Sequence, residues 1–349
     1  MKLSDVVNRI NGNVDRFTTD LEYYIGGEHF DSCELEISRK GLIKPNLNIL
    51  GFKFHFAFQE RDVIFMARNP HLRKAGMVFF SGLCSDASYI LRSKNEAILT
   101  QEYLAVMLQS DHFWDYCEAH KVGSVNFAIN WKTMANYEFD LPTIEQQKIV
   151  AEKVWAAYRL KQSYRNLISA TDEIVKSQFI EMFGNVEDTR SLCEICRPKQ
   201  WPTIPTKDFT EDGYLVYGAN GVIGHYSEFN HEYPTILMAC RGASCGAINI
   251  SQPNSYITGN AMCMDEIIPE VSFEYLAYFL SNYDYKTIIT GGAQPQITYT
   301  NLKKVMVPIP PYSEQQNFAL IYQQADKSKF ELRKSIESID AVIKSLINS

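Results

Sequence analysis

The feature that most limits how this chain can fold is that it is written twice. VGSVNFAINWKTMANYEFDLP (122–142) falls on TGGAQPQITYTNLKKVMVPIP (290–310) at a constant offset of 168 residues, setting Gly123 on Gly291, Ile129 on Ile297, Trp131 on Tyr299 and Pro142 on Pro310. Upstream, EYLAVML (102–108) falls on EYLAYFL (274–280), and IFMAR (64–68) resembles ILMACR (236–241). Downstream, Lys161, Arg165, Ile168, Asp172 and Lys176 recur as Lys329, Arg333, Ile336, Asp340 and Lys344. A period this long is far beyond a solenoid unit. It implies two whole domains, each followed by the same connector, and approximate twofold symmetry.

The connectors are legible. Tyr137, Phe139 and Leu141, and in the second copy Val305, Val307 and Ile309, alternate with period two, which predicts a terminal strand that proline then stops. Thr143 to Gln146 and Ser313 to Gln316 both fit a capping box, so each connector opens a helix. By its letters the first connector is one residue shorter between Pro142 and Glu145 than its counterpart. The first helix is predicted from Ile144 to about Phe183, where Gly184 and Asn185 supply a C-cap, and the second from Glu314 towards the C-terminus. Roughly 40 residues at ~1.5 Å each make a rod of ~60 Å. Val150, Val154, Ala157, Tyr164, Ile168 and Val175 give the first an apolar stripe; Phe318, Ile321, Ala325, Leu332, Ile336, Ile339, Ile343 and Leu346 give the second its own. Packing of each helix on its own domain fits less well, because ~60 Å outreaches a domain of ~130 residues. An antiparallel coiled coil that spaces the two domains is the expectation.

Short alternating or apolar runs, FKFHFAFQ (52–59), DVIFMA (62–67), MVFF (77–80) and ASYIL (87–91), predict strands before a helix over 100–117. YLVYG (214–218), YPTILMA (233–239), GAINI (246–250) and a helix near 272–289 repeat the scheme, so the fold class is α+β with two related domains. The predicted division is 1–142, a first domain; 143–185, a first spacer helix; 186–311, a second domain; and 312–349, a second spacer helix.

No apolar run approaches the ~18 residues of a membrane helix, and MKLSDVVNRINGN lacks a secretory apolar core, which predicts a cytoplasmic location and no membrane partner. In that setting the eight cysteines read as reduced thiols. Cys193 and Cys196 with Cys240 and Cys245 raise a four-thiolate zinc site, but the second spacing is loose, and buried free thiols are the better account. No metal is expected.

GxxxxGK[ST] and HExxH are absent, no paired acid cluster recurs in both copies, and GANGVIG (218–224) lacks the GxGxxG spacing and reads as a glycine-rich hairpin loop. IPPY (309–312) lacks the Asn or Asp oxygen with which an adenine methyltransferase loop polarises its amine, since Ile309 has no polar atom to offer. What remains suits base edges: Arg68, Asn69, His71, Arg73 and Lys74 in one basic loop; Tyr217, Asn220 and His225 around the glycine loop; Arg241 and Ser244 after a strand; and Gln294, Gln296 and Thr298 in GGAQPQIT. For any one of them an ordinary solvated loop residue is at least as good a reading; the clusters weigh more than their members. The net charge of -7, with 15 basic against 18 acidic residues over 1–140 and 7 against 11 over 191–310, means that DNA would be met by local patches or with a partner's help.

The repeated strand, [LI]P and EQQ cap and long helix resemble the specificity subunit of type I restriction-modification systems over nearly the whole chain. RPKQWPTIPTKDFTEDGYLVYGANGVIGHY (197–226), GGAQPQITYTNLKKVMVPIPP (291–311), YIGGEHFDS (24–32) and LRKAGMVFFSGLCSDASYILR (72–92) look like target-recognition-domain text. The resemblance implies two pseudo-twofold-related α/β target recognition domains, separated by two long antiparallel helices. It implies a non-catalytic reader of a bipartite double-stranded DNA site, without a cofactor of its own. Two methyltransferase (M) subunits carrying S-adenosylmethionine would be its partners, in a complex that can recruit restriction (R) subunits. A coiled-coil adaptor and a self-sufficient DNA methyltransferase are the alternatives.

Overall fold

The computed structural model describes residues 1–46, 50–259, 261–291 and 294–348. Contacts separate two units, Met1–Leu167 with Glu331–Ser349, and Ile168–Phe330. The helices Ile144–Phe183 and Tyr312–Ile347 each contribute one segment to either unit.

In the first unit a four-stranded antiparallel sheet runs in the order Val7–Ile10, Ser88–Ser93, Val63–Met66, Ala75–Met77. Strand periodicity sorts its central residues. Val63 and Phe65 face the helices Gln101–Met107 and Asp111–Ala119, where Phe65 stacks on Trp114 at 5.4 Å. Ile64 and Met66 face a second sheet, ordered Gly41–Leu42, Tyr23–Ile25, Gly82–Ser85, Phe54–Phe58, and meet Ile25, Phe58 and Cys84. Full burial of Phe65 alone is worth about 2–3 kcal/mol.

The second unit repeats this sheet as Arg197–Gln200, Ala261–Asp265, Ile236–Ala239, Ile248–Ile250. Ile236 and Met238 face the helix Phe273–Asn282 through Tyr275, Leu276 and Leu280, and Leu237 faces the other way onto Tyr217 and Ile257. The covering sheet differs, being three-stranded in the order Gly221–Tyr226, Tyr214–Gly218, Tyr256–Ile257 with one parallel pairing. The helix-bearing layer is thus common to both copies, and the layer on the opposite face is not.

Several sequence expectations change. The helix expected over 100–117 is two, because Ser110 caps a fresh start by accepting from the Phe113 N–H. MVFF gives way to Ala75–Met77, with Phe79 exposed and Phe80 half-buried. Only the second connector has its terminal strand, Met306–Pro308 paired with Thr189–Ser191; the first is extended, with a single bridge from Lys2 to Glu138. Ile321 points outward, and Tyr322 packs with Phe318 instead.

The caps explain the repeated glutamines. Thr143 and Gln146 exchange side-chain bonds with each other's backbone N–H at 3.0 and 3.3 Å, as a capping box requires. In the second copy the helix opens two residues earlier than expected, at Tyr312. The Glu314 N–H donates to the Pro311 carbonyl, and among the described residues Ser313 makes no cap bond. The neighbouring glutamine is the common element. Gln147, fully buried, accepts from the Thr100 N–H at 3.1 Å and donates to the Ile98 and Pro142 carbonyls at 2.8 and 2.9 Å. Gln315 accepts from the Ser272 N–H at 2.8 Å and donates to the Glu270 and Pro310 carbonyls at 2.9 and 2.8 Å. Gln147 and Gln315 are 168 apart, so the helices keep the repeat's register and the shorter first connector is only an effect of matching letters.

Within each unit, segments of the two long helices pack together. In the second, Phe179 and Phe183 meet Phe318 while Lys329 reaches Asp172 at 2.6 Å, so the segments are antiparallel. In the first, Lys161 reaches Asp340 at 2.7 Å, the same pair displaced by the repeat. The Lys161 and Lys329 side chains are both buried, but their second carboxylates differ: Lys329 has Asp326 of its own helix at 3.9 Å, whereas Lys161 has Glu34 at 3.1 Å, which also takes Arg165 and Gln162.

Candidate nucleic-acid interface

The basic loop of the first unit splits into an outer and an inner half. Asn69 and Arg73 flank the turn Pro70–Leu72 with left-handed backbone, φ 52° and 48°, and reverse the chain within five residues. Asparagine tolerates this geometry; arginine pays about 1 kcal/mol for it. Arg73 is then tied inward, donating to Asp111 at 2.5 Å, and Lys74 donates to the Gly27 carbonyl at 2.9 Å. Arg68 and His71 are exposed, and Asn69 is half-buried. Arg68 forms a bridge with Ala128, which closes on Val122, so it borders the loop 122–128. Gly123, with φ 107°, makes that loop possible, since a Cβ there would meet the Asn126 carbonyl oxygen at 2.6 Å.

The second unit holds the matching arrangement. Arg241 is exposed and bridges Gln296, which closes on Thr290, and Gly291 has φ 89°. Gln294 and Gln296 are exposed, while Gly292 and Ala293 of the same motif lie outside the described residues. The Thr298 hydroxyl accepts from the Asn301 N–H and starts the short helix Tyr299–Leu302, a structural task. Ser244 is half-buried, in the turn after Arg241. On the other sheet, Asn220 is exposed at the hairpin turn and His225 is half-buried on the returning strand. Tyr217 is buried, its hydroxyl accepting from the Gln252 N–H at 3.2 Å, and so has no free edge to offer. The structure therefore gathers Arg241, Gln294 and Gln296, and separately Asn220 and His225. Asn126 was missed by sequence reading although the offset of 168 places it on Gln294, as it places Ala128 on Gln296.

The remaining chemistry is occupied. Burial pushes the Cys84, Cys117 and Cys196 thiols up to about 12, so these sulfurs are protonated at neutral pH. Cys193, Cys196, Cys240 and Cys245 do not converge. Among the described residues the one group within ligating distance is His231, Cys263 and Asp265, and the Asp265 carboxylate is shared by the Trp201 N–H at 3.0 Å and His231 Nε2 at 3.1 Å. In IPPY the Ile309 N–H donates to the Asp188 carbonyl and the Pro310 carbonyl takes Gln315, so the loop serves the helix start.

A family model described as "Type I restriction modification DNA specificity domain" matches residues 1–165 and again 185–339. The chain belongs to this specificity family. The Type I restriction enzyme EcoprrI specificity subunit of Escherichia coli is 25% identical over 130 residues, 37% of this chain and 31% of that relative, so the match spans less than a third of the relative's length. The type I restriction-modification S subunit from M. genitalium superposes with a TM-score of 0.63 at 13% identity, covering 99% of this chain and 94% of that one. A chain from work on complex assembly and conformational transition of the type I R-M system gives 0.57 at 17%, covering 99% and 95%. At such identities the likeness establishes the specificity-subunit fold. Among the described residues no helix is long and apolar enough to cross a membrane.

Proposed function

We propose that this chain is the non-catalytic sequence-reading subunit of a type I restriction-modification complex. Each copy, residues 1–142 and 186–311, reads one half of a bipartite double-stranded DNA site. The helices of 143–185 and 312–349 pair as a coiled coil that fixes the unread gap. Two methyltransferase subunits, which bring S-adenosylmethionine, dock on the exposed faces of the two long helices, and restriction subunits join that complex in the cytoplasm. The observation that carries this reading is the duplicated construction of Arg68 beside loop 122–128 and Arg241 beside loop 290–296. A duplicated interface suits a ligand that is itself met twice, as a split site is. The DNA contacts we assign to Arg68, Asn69, His71, Asn220, His225, Arg241, Ser244, Gln294 and Gln296 are proposals of the same kind.

The test is to map methylated adenines in cells with and without the chain, and to measure binding of the chain with its methyltransferase partner to the mapped site against random DNA. Methylation confined to one split sequence, lost without this chain and bound selectively, is the expected result. Equal binding to random DNA, or methyl transfer by the isolated chain, would overturn the proposal.

A further inference from the structure

The two copies are alike in one loop and unlike in the layers around it, and this separates two kinds of DNA contact. The likeness extends to individual hydrogen bonds. Ile129 and Ile297 donate to the Ala67 and Cys240 carbonyls at 2.9 and 3.0 Å; Asn69 and Gly242 donate to the Phe127 and Pro295 carbonyls at 2.8 and 2.9 Å. Val122 with Ala128, and Thr290 with Gln296, close the loops by reciprocal bonds of 2.7 to 2.9 Å. Both loops turn at a glycine with positive φ. Beside each stands an exposed arginine that follows a central strand, and among the described residues no carboxylate pairs with either Arg68 or Arg241.

Beyond these loops the side chains differ. The turn after each arginine, 69–73 and 242–246, has positive φ at both ends but carries His71 in one copy and Ser244 in the other, and the second unit has on its other sheet the hairpin Tyr214–Tyr226 with Asn220 and His225. A device built alike in both copies cannot by itself distinguish two different half-sites. The chemistry any two stretches of DNA share is the phosphodiester backbone, which guanidinium groups bind without reading sequence.

We propose that Arg68 and Arg241 are phosphate anchors, one for each half of the bound duplex, and that discrimination among bases lies with side chains that differ between the copies, among them His71, Asn220 and His225. This rests on the DNA-reading function proposed above and assigns the two arginines a narrower task within it. In an acidic chain such anchors set register and orientation while side chains that differ between the copies choose the bases.

The experiment uses the full chain with its methyltransferase partner, binding cognate and scrambled duplexes between about 0.05 and 0.2 M salt. Arg68→Ala and Arg241→Ala each lower affinity for both duplexes by the same factor, about eight-fold at 0.1 M, and each reduces the salt slope by about 1. Arg68→Lys and Arg241→Lys keep the slope, and thermal melting of every variant matches the parent. His71→Ala and Asn220→Ala lower cognate affinity alone, without changing the slope. A selective loss of cognate binding in either arginine variant, or an unchanged slope in both, overturns the assignment. Failure of the parent complex to prefer its cognate duplex would instead count against the proposed function, so the two are told apart.

Discussion

Gln147→Ala removes a buried carboxamide that satisfies three main-chain groups at once: the buried Thr100 N–H and the part-buried Ile98 and Pro142 carbonyls. A buried polar group left without its partner costs about 1–3 kcal/mol, less for a carbonyl that keeps a second lone pair than for an N–H. Taking about 2 kcal/mol for the amide and about 1 for each carbonyl gives a loss of about 4 kcal/mol, a large share of a typical domain stability of ~5–15. Gln146→Ala, next to it but exposed, removes only the outer half of the capping box and costs at most about 1 kcal/mol. The second copy reverses the order, since its buried member is Gln315 and Gln316 is exposed. Urea unfolding followed by tryptophan fluorescence is the assay, with Trp114, Trp131 and Trp155 reporting on the first unit and Trp201 on the second. Similar losses for Gln146→Ala and Gln147→Ala, or a loss below about 1 kcal/mol for Gln147→Ala, would refute the argument.

Two further outcomes follow from the charges. Lys161→Met leaves the buried Glu34 carboxylate with one cation fewer, beside Arg165, Gln162 and Tyr158, and a loss of about 2–3 kcal/mol is expected in urea melts, largely recovered by adding Glu34→Gln. Lys329→Met, whose partner Asp172 is 57% exposed and can return to water, should cost about 1 kcal/mol or less; equal costs would show that burial does not decide the matter. The hydrogen bond from Arg73, with Lys344 nearby, holds the Asp111 carboxyl below the usual aspartate range. A lowered native value means stability that is fully present above the unfolded value of about 3.9 and is lost as pH falls through the native one. Thermal melts of Asp111→Asn against the parent should therefore differ by a constant amount above about pH 5 and converge in acid, and a gap that persists to about pH 2 would exclude this pair as its source.

The first long helix, Ile144–Phe183, lies where its stop and start signals place it, because capping and helical spacing act over one or two turns. The duplication is equally plain in letters, and with it the two related α+β units. The break between Gln101–Met107 and Asp111–Ala119 was also written locally, in Ser110, but an unbroken apolar spacing concealed it. Other decisions needed residues far apart in sequence. In EQQ the letters align Gln147 with Gln316, yet Gln315 is the one sealed against Ser272 and Glu270, some 43 and 45 positions away. Among the basic residues of 67–76, composition ranks Arg68 and Arg73 together. Asp111 ties Arg73 down, half-buried, and leaves Arg68 exposed, a distinction that exists only once the helix from Asp111 has packed beside the loop. Tyr217 likewise reads as a candidate until the sheet closes over it. Local periodicity fixes which elements form, because it acts between neighbours; which polar side chain remains free for a ligand depends on distant groups that compete for it, and tertiary structure decides that competition.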